Sequence, residues 1–161
     1  MSTKTIAFTK SKLPYGWMGN MSPFPIIYEG DTYRTSEALF QALRFHDKAI
    51  RELIRAEKSP MGAKFVAKAR VDQMVVKQLS DEDVANMRGC LIFKLAQHPD
   101  LHAELMATGD ALIVEDVTNR GDKGSNLFWG AMLVNNEWVG KNVLGNLWMD
   151  IRTKFKNLVI T

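Results

Sequence analysis

Three polar side chains share one face of an otherwise apolar helical segment. The segment runs from Thr35 to Phe45, and Glu37, Gln41 and Arg44 are separated by four and then three positions. A helix with this spacing places the three in one row. Such a row is either the solvent side of the helix or the wall of a cleft. A carboxylate in a first turn ordinarily complements the positive helix end, so spacing alone favours a solvated face.

A second group of candidate residues lies in a polar stretch, residues 115–126, that follows a short apolar run. The stretch contains Asp116, Arg120, Asp122 and Lys123 together with two glycines. Loops of this length inside compact domains are usually functional or disordered. Glycines together with two cationic side chains can form a cradle for an anion, and the stretch is therefore a candidate anion site.

Familiar catalytic signatures are absent from the sequence. It contains no phosphate-binding loop, nucleophile elbow or dinucleotide glycine motif. The histidines, His46, His98 and His102, are not spaced as metal ligands, which favours ordinary surface or helix-end histidines. The single cysteine, Cys90, excludes an internal disulfide and a cysteine-rich zinc site. Its place near an apolar stripe predicts a buried, inert thiol.

Composition indicates the kind of domain that must position these residues. The chain has 161 residues, 46% hydrophobic and 24% charged, which suits one soluble domain over residues 1–161. No apolar run approaches membrane-spanning length, and the first residues lack the apolar core of a signal peptide, so we expect a cytoplasmic protein with no membrane association. The net charge of +3 suits a phosphorylated or nucleotide-like ligand and does not require nucleic acid.

The hydrophobic periodicity predicts an α+β fold that is mainly helical with a few short strands. Helices are predicted after cap residues Thr35, Asp47, Ser59 and Ser80, and the one after Ser59 carries Lys64 and Lys68 on one side, most simply a solvated side. The remaining predicted elements are a strand at 6–8, a hairpin at 26–33, a short helix capped by Asp100, a buried strand at 111–114, a hairpin at 129–139 turning at Asn135 and Asn136, and a closing helix from about Asn142.

Seven short blocks occur in an order that resembles the YbiA/NADAR family. They are residues 17–24, 33–42, 59–61, 97–101, 112–115, 129–130 and 140–145, and together they extend from about residue 15 to 152. Each block is weak alone, but seven in order are specific. The resemblance implies a mixed α+β fold and N-glycosidase activity. Known members split ribosylated intermediates of riboflavin synthesis, and related ones are associated with removal of ADP-ribose, including from guanine bases.

The resemblance also implies roles for particular residues. Glu37 matches the family's acidic residue and becomes the catalytic candidate, stabilising the positive charge that develops on the sugar as the C–N bond breaks. Gln41 also matches a family residue, and we expect Gln41 and Arg44 to help fix Glu37 because they share its helix face. No metal or redox cofactor is implied. The candidate substrate contacts are Asn20, Gln41, Arg44, Lys64, Lys68, Asn126, Trp129, Lys141 and Asn142. From the residues alone, Trp129 is as readily a core residue.

Two departures from the family pattern leave a second interpretation open. Asn126 occupies a position where the family usually has an aspartate, and Leu79 replaces a frequent tryptophan. Asp116 or Asp122 is a candidate for the missing carboxylate. The alternative to an enzyme is a non-catalytic ADP-ribose- or nucleotide-binding module. The substrate also stays open between a small phosphorylated ribosyl or ADP-ribosyl metabolite, ADP-ribosylated protein and ADP-ribosylated nucleic acid, as does the oligomeric state.

Overall fold

The computed structural model describes residues 4–156 of the chain. Within this range it has the predicted α+β composition, mainly helical with a few short strands. The strands are β1 Thr5–Phe8, β2 Ile26–Tyr28, β3 Asp31–Tyr33, β4 Leu112–Glu115, β5 Met132–Val134 and β6 Glu137–Val139. The α-helices are α1 Ser36–Ala42, α2 Lys48–Ala56, α3 Pro60–Lys68, α4 Asp81–Gln97, α5 Pro99–Ala107, α6 Asn126–Trp129 and α7 Val143–Lys154.

Four helices begin where their cap residues predict. The side chains of Thr35, Asp47, Ser59 and Ser80 each accept a hydrogen bond from a backbone N–H of the first turn, which satisfies a donor that the helix itself leaves unpaired. The first helix is shorter than its apolar segment because residues 43–45 form a closing turn after Ala42. These local signals fix the start of α1 at Ser36, one residue before Glu37.

The chain folds into two compact units. The central unit consists of residues 20–98, and the terminal unit consists of the described residues up to Gly19 together with those from Pro99 onward. One domain spanning residues 1–161 stays a prediction, and each unit is described separately.

The central unit is built around α1. This helix packs against α2, α3, α4 and the β2–β3 hairpin, and all of its residues are buried. The inner side of α3 carries only small side chains, Ala63 and Ala67, which lets that helix lie close to its neighbours. A helix enclosed on so many sides cannot have a solvent face.

The terminal unit is built on a parallel pair of strands, β1 and β4. Helix α7 packs against β4, and its Trp148 indole N–H donates to the Met18 carbonyl at 2.9 Å. The β5–β6 hairpin turns at Asn135 and Asn136, both at positive φ as predicted. Three boundaries differ from prediction. Trp129 ends the short helix α6 instead of opening a strand, Asn126 begins that helix, and Asp100 lies in the first turn of α5 and is not its cap.

Candidate active site

The polar row, which lies on α1 and on the turn that follows it, is buried. Glu37 is 8% exposed, Gln41 4% and Arg44 5%, so the solvated-face interpretation of their spacing is wrong. The physical reason is that α4 packs against α1. Because α4 begins nearly forty residues further along the chain, helical spacing within α1 cannot reveal this contact. Buried polar groups need hydrogen-bond partners, because leaving one unpaired costs about 1–3 kcal/mol.

The partners form a continuous chain of hydrogen bonds. The Gln41 amide Nε2 donates to Glu37 Oε1 at 2.8 Å, and the Gln41 carbonyl oxygen accepts from the Arg44 guanidinium at 3.3 Å. Arg44 continues to Asp83 on α4 through two bonds, from Nε at 2.9 Å and from Nη2 at 2.7 Å. We call Glu37, Gln41, Arg44 and Asp83 the buried row. Because each side chain fixes the next, the Glu37 carboxylate is held in one orientation.

Asp83 is a site residue that the sequence did not reveal as one. Besides the Arg44 guanidinium, its Oδ2 accepts from the backbone N–H of Leu79 at 2.9 Å. The acidic run after Ser80 predicted a helix start, and Ser80 does cap the helix through the Asp83 N–H. Nothing in that local pattern marks Asp83 as the partner of an arginine thirty-nine positions earlier. Leu79, at the frequent tryptophan position, adopts a positive φ.

Asn20 lies at the N-terminal end of α1, next to the backbone of Glu37. Its carbonyl oxygen accepts from the Glu37 N–H at 3.0 Å and from the Ser36 hydroxyl at 3.1 Å. Its side-chain amide nitrogen lies 3.1 Å from the Met87 sulfur. Asn20, a predicted substrate contact, is therefore half-exposed at the same helix end as the catalytic candidate.

Two further titratable groups of α4 lie in the same core. The Lys94 ammonium is fully buried, donates to the Ser22 hydroxyl at 2.8 Å and lies 5.3 Å from the Phe24 ring centre. Burial lowers the pKa of Lys94 to about 7. Cys90 is buried as predicted, and burial, followed by the nearby Glu37 and Asp83 carboxylates, raises the pKa of its thiol. Lys94 had no sequence signal, because its position in a helical pattern does not show that it faces inward.

Lys64 and Lys68 lie on the outer side of α3, and both are exposed. This agrees with the solvated side predicted from their spacing. No ion pair within the described residues involves either ammonium group, which leaves both able to bind an anion.

In the terminal unit, the predicted contact residues Trp129 and Lys141 both contact a second aromatic residue, Phe128. The rings of Phe128 and Trp129 meet edge to face with centres 4.9 Å apart, and the Lys141 ammonium lies 5.4 Å from the centre of the Phe128 ring. Both rings are half-buried and Lys141 is exposed. Half-buried aromatic rings beside a cation can stack on a heterocycle and contact a phosphate.

Two predicted contact residues of this unit are bonded to the backbone. The buried Asn142 donates from Nδ2 to the Ile113 carbonyl at 2.8 Å and accepts at Oδ1 from the Glu115 N–H at 3.0 Å. Asn126 donates from Nδ2 to the Gly121 carbonyl at 3.0 Å. The structure thus gives both side chains a bond that shapes the unit, and their contact with substrate stays a prediction.

The two aspartates proposed to replace the family's carboxylate differ in their surroundings. Asp116 accepts at Oδ1 from the N–H and hydroxyl of Thr118, at 2.9 and 2.5 Å. The Thr118 hydroxyl oxygen in turn accepts from the Leu133 N–H at 3.0 Å. Asp122 is exposed at the tip of the loop, and Arg120 pairs with Glu115 at 3.4 Å. Asp116 therefore orders the loop, and a catalytic role for either aspartate stays a prediction.

No group of three or more His, Cys, Asp and Glu side chains in residues 4–156 could hold a metal ion. In the same range, the helices are too short or too polar to cross a membrane.

Comparison with known proteins places this arrangement in a family. The NADAR domain family matches residues 7–156. N-glycosidase YbiA of Escherichia coli is 35% identical over 152 residues, covering 94% of this chain and 89% of that protein. N-glycosidase Npun_R5314 of Nostoc punctiforme is 31% identical over 161 residues, covering 96% and 95%. The NMR structure of E. coli YbiA matches with a TM-score of 0.79 and 34% identity, covering 97% of this chain and 87% of that one.

The fold and these relatives define the class of the protein: an N-glycosyl hydrolase. The chain belongs to the NADAR domain family. The fold class, the family resemblance and the prediction of an enzyme are thereby confirmed.

Proposed function

We propose that this N-glycosidase hydrolyses the ribosyl C–N bond of a phosphorylated ribosylamine or an ADP-ribosyl substrate, with Glu37 as the catalytic carboxylate. The observation that carries the proposal is the way Glu37 is held. Its Oε1 accepts one hydrogen bond from Gln41, and within the described residues no hydrogen bond reaches Oε2, which is also not among the buried unpaired atoms. One oxygen is fixed while the other is left for water or substrate.

Breaking the C–N bond builds positive charge on the ribose ring, as in other glycosidic transition states. An oriented carboxylate in a site poor in water stabilises that charge and can position the attacking water molecule. The rest of the buried row keeps the carboxylate in place, so that it need not reorganise as the charge develops. In this hydrolysis the water oxygen forms the new bond to the ribose carbon as the C–N bond breaks, and a proton from the water passes to the nitrogen of the leaving group.

The substrate class is supported by the cationic and aromatic candidates. Lys64, Lys68 and Lys141 are exposed and can contact phosphates. Phe128 and Trp129 offer ring faces to a heterocyclic leaving group. One relative, riboflavin biosynthesis protein VVA0006 of Vibrio vulnificus, is 27% identical over 143 residues, covering 88% of this chain and 36% of that protein. Its name favours a small ribosylated metabolite.

The decisive variant is Glu37→Gln, which keeps the shape of the side chain and removes its charge. We expect the rate of base release from ribosylated intermediates of riboflavin synthesis, or from ADP-ribosylguanosine, to fall about 10²- to 10⁴-fold. The matched control is Glu104→Gln, on the exposed side of α5, which should cleave at the parent rate. Thermal unfolding of both variants checks that the fold persists.

A Glu37→Gln protein that cleaves as fast as the parent would contradict the assignment. Calorimetric titration with ADP-ribose separates the enzyme from the alternative binding module. If the parent binds ADP-ribose but releases no base from any of the ribosylated substrates, the binding module is supported and the proposed substrate class is wrong.

A further inference from the structure

Residues 21–25, which we call the linking segment, connect Asn20 to the β2–β3 hairpin and offer few backbone donors. The segment contains neither helix nor strand, and its two prolines, Pro23 and Pro25, have no N–H. Asn20 nevertheless has a fixed place, because its carbonyl oxygen accepts from the Glu37 N–H, one of the first-turn donors that a helix leaves unpaired. Side chains from another element must therefore hold the linking segment.

The C-terminal end of α4 supplies such side chains. The Lys94 ammonium donates to the Ser22 hydroxyl at 2.8 Å. His98, the residue that follows the helix, donates from Nε2 to the Pro25 carbonyl at 2.7 Å. The His98 ring also meets the Phe24 ring edge to face, with ring centres 5.3 Å apart. Two hydrogen bonds and a ring contact thus tie the linking segment to the end of this helix.

Gln97, the last residue of α4, binds the strand that follows the linking segment. The turn residues of the β2–β3 hairpin, Glu29 and Gly30, both have positive φ, and the strand residues next to such a two-residue turn exchange hydrogen bonds. Because exchanging and non-exchanging pairs alternate along antiparallel strands, the N–H and C=O of Ile27 point away from β3. Gln97 Oε1 accepts from that N–H at 2.7 Å, and Nε2 donates to that C=O at 2.9 Å. The side-chain amide makes the two bonds that a neighbouring strand would make.

We propose that Gln97 and His98 are positioning residues, which hold β2 and the linking segment and thereby place Asn20 at the Glu37 end of α1. We call these two side chains the α4 clamp. Asn20 transmits the placement to α1, because its carbonyl oxygen accepts from the Glu37 N–H and its side-chain oxygen accepts from the Ser36 hydroxyl at 3.1 Å. The inference rests on the proposed function, since it takes Asn20 as a contact of the ribosyl substrate.

The kinetic test uses Gln97→Met, which keeps the length of the side chain and removes both bonds to β2. We expect KM for the ribosylated substrate to rise about 3- to 10-fold, the effect of misplacing one hydrogen-bonding residue, Asn20. The kcat should change less than about twofold, because Gln41 still holds Glu37. Partial unfolding would instead lower kcat and leave KM unchanged. Gln73→Met, at an exposed position of the central unit, is the matched control and should keep both constants.

Amide hydrogen exchange tests the placement without substrate. In Gln97→Met, the Ile27 N–H loses its partner directly. The Glu37 N–H, whose partner is the Asn20 carbonyl, should also exchange about 3- to 10-fold faster. The N–H of Leu91, inside α4, reports unfolding of the whole unit, so the Glu37 rate should rise by a larger factor than the Leu91 rate.

A second variant tests the other member of the α4 clamp. His98→Phe keeps a ring beside Phe24 and removes the donor to the Pro25 carbonyl. It should raise KM by a smaller factor, about 2- to 5-fold, because it removes one hydrogen bond where Gln97→Met removes two. Circular dichroism verifies that both variants are folded.

Either of two results would overturn the inference. One is a parent-like KM in both Gln97→Met and His98→Phe. The other is a Glu37 N–H in Gln97→Met whose exchange rises no more than that of Leu91. If Glu37→Gln cleaves as fast as the parent, the proposed catalytic carboxylate is wrong, and the exchange rates still decide on the α4 clamp. If Glu37→Gln is inactive while Gln97→Met behaves as the parent, only the α4 clamp is contradicted.

Discussion

The two groups of candidate residues, one in each unit, use their polar side chains differently. In the buried row of the central unit, each side chain is hydrogen bonded to the next, from Glu37 through to Asp83. In the terminal unit, the Phe128 and Trp129 rings are half-buried and Lys141 is exposed. The first group is fixed by its own members, and the second is only partly enclosed by the protein and can meet a ligand from solvent.

The difference indicates which substitutions should change ligand binding without also changing the stability of the fold. A buried hydrogen-bonded network rigidifies a core, and removing one member of it costs more stability than replacing the whole network with apolar residues. An exposed cation next to an aromatic ring contributes little to stability. Orientation of Glu37 and stability of the central unit are therefore coupled, whereas ligand contact and stability in the terminal unit are separable.

The largest expected effect comes from breaking the buried row. Arg44→Met leaves the Asp83 carboxylate buried beside an apolar side chain, which should lower the free energy of unfolding by about 3–5 kcal/mol. Urea denaturation followed by circular dichroism measures this loss. The same variant should lose activity, because Gln41 loses its Arg44 bond and orients Glu37 less firmly.

The matched double variant, Arg44→Met/Asp83→Leu, removes both charges. It should recover most of the lost stability, since no unpaired charge stays buried. If the single and double variants are equally unstable, the cost comes from packing, and the buried row is not coupled in the way its hydrogen bonds indicate.

A smaller loss of stability is expected from Asn142→Ala, which tests whether the terminal unit contains a fixed polar residue of its own. The substitution leaves the Ile113 carbonyl and the Glu115 N–H without their partner, and alanine must adopt the φ of 51° seen at this position. We expect a loss of about 2–4 kcal/mol, measured by thermal and urea unfolding. The exposed Asn146, also of α7, provides the control, since Asn146→Ala should cost about 0.5 kcal/mol or less. Equal losses at both positions would contradict the prediction.

Lys94, in the core of the central unit, should make the free energy of unfolding depend on pH. Because burial lowers its pKa to about 7, the unfolded chain binds one more proton than the folded chain between about pH 7 and the ordinary lysine range. The free energy of unfolding should therefore rise with pH above about 7, by at most about 1.4 kcal/mol per pH unit, and below that pH the penalty of the buried charge is fully present.

The measurement compares the parent with Lys94→Met by urea unfolding between pH 6.5 and about 7.5, about one unit below the pKa of an ordinary thiol. The variant should lose the rise, whereas Lys48→Met, at an exposed position of α2, should keep it. A parent protein with flat stability across this range would show that Lys94 stays charged in the folded state.

The smallest effect on stability is expected at Lys141. Lys141→Ser should change the free energy of unfolding by no more than about 0.5 kcal/mol but raise KM about tenfold or more, the loss expected for one charge-assisted phosphate contact. Steady-state kinetics with a phosphorylated ribosyl substrate measures KM, and Lys12→Ser serves as the exposed-lysine control. An unchanged KM would remove Lys141 from the substrate contacts.

The parts of the fold that the sequence predicted are local. The caps at Asp47, Ser59 and Ser80 and the hairpin turn at Asn135 and Asn136 depend on residues a few positions apart. Such signals depend only on residues within about one helical or hairpin turn, and the structure confirms the helix starts and the hairpin turn that they predict.

The parts that could not be predicted depend on long-range packing. Helical spacing placed Glu37, Gln41 and Arg44 on one face but could not show that α4 covers that face, so the more ordinary solvated interpretation was wrong. For the same reason, the sequence did not indicate that Asp83 joins the buried row or that Lys94 faces the core. The family resemblance identified Glu37 as the catalytic candidate, since a first-turn carboxylate does not differ locally from a simple helix-end complement.

The single cysteine of the chain provides a way to measure how readily the core around Glu37 opens. Cys90 is fully buried, and its thiol is kept protonated by its surroundings, so a disulfide reagent can modify it only when α4 separates from its neighbours or the unit unfolds. The modification rate under native conditions then reports the free energy of that opening. The parent sequence can therefore serve as its own single-label sensor, without an added reporter residue.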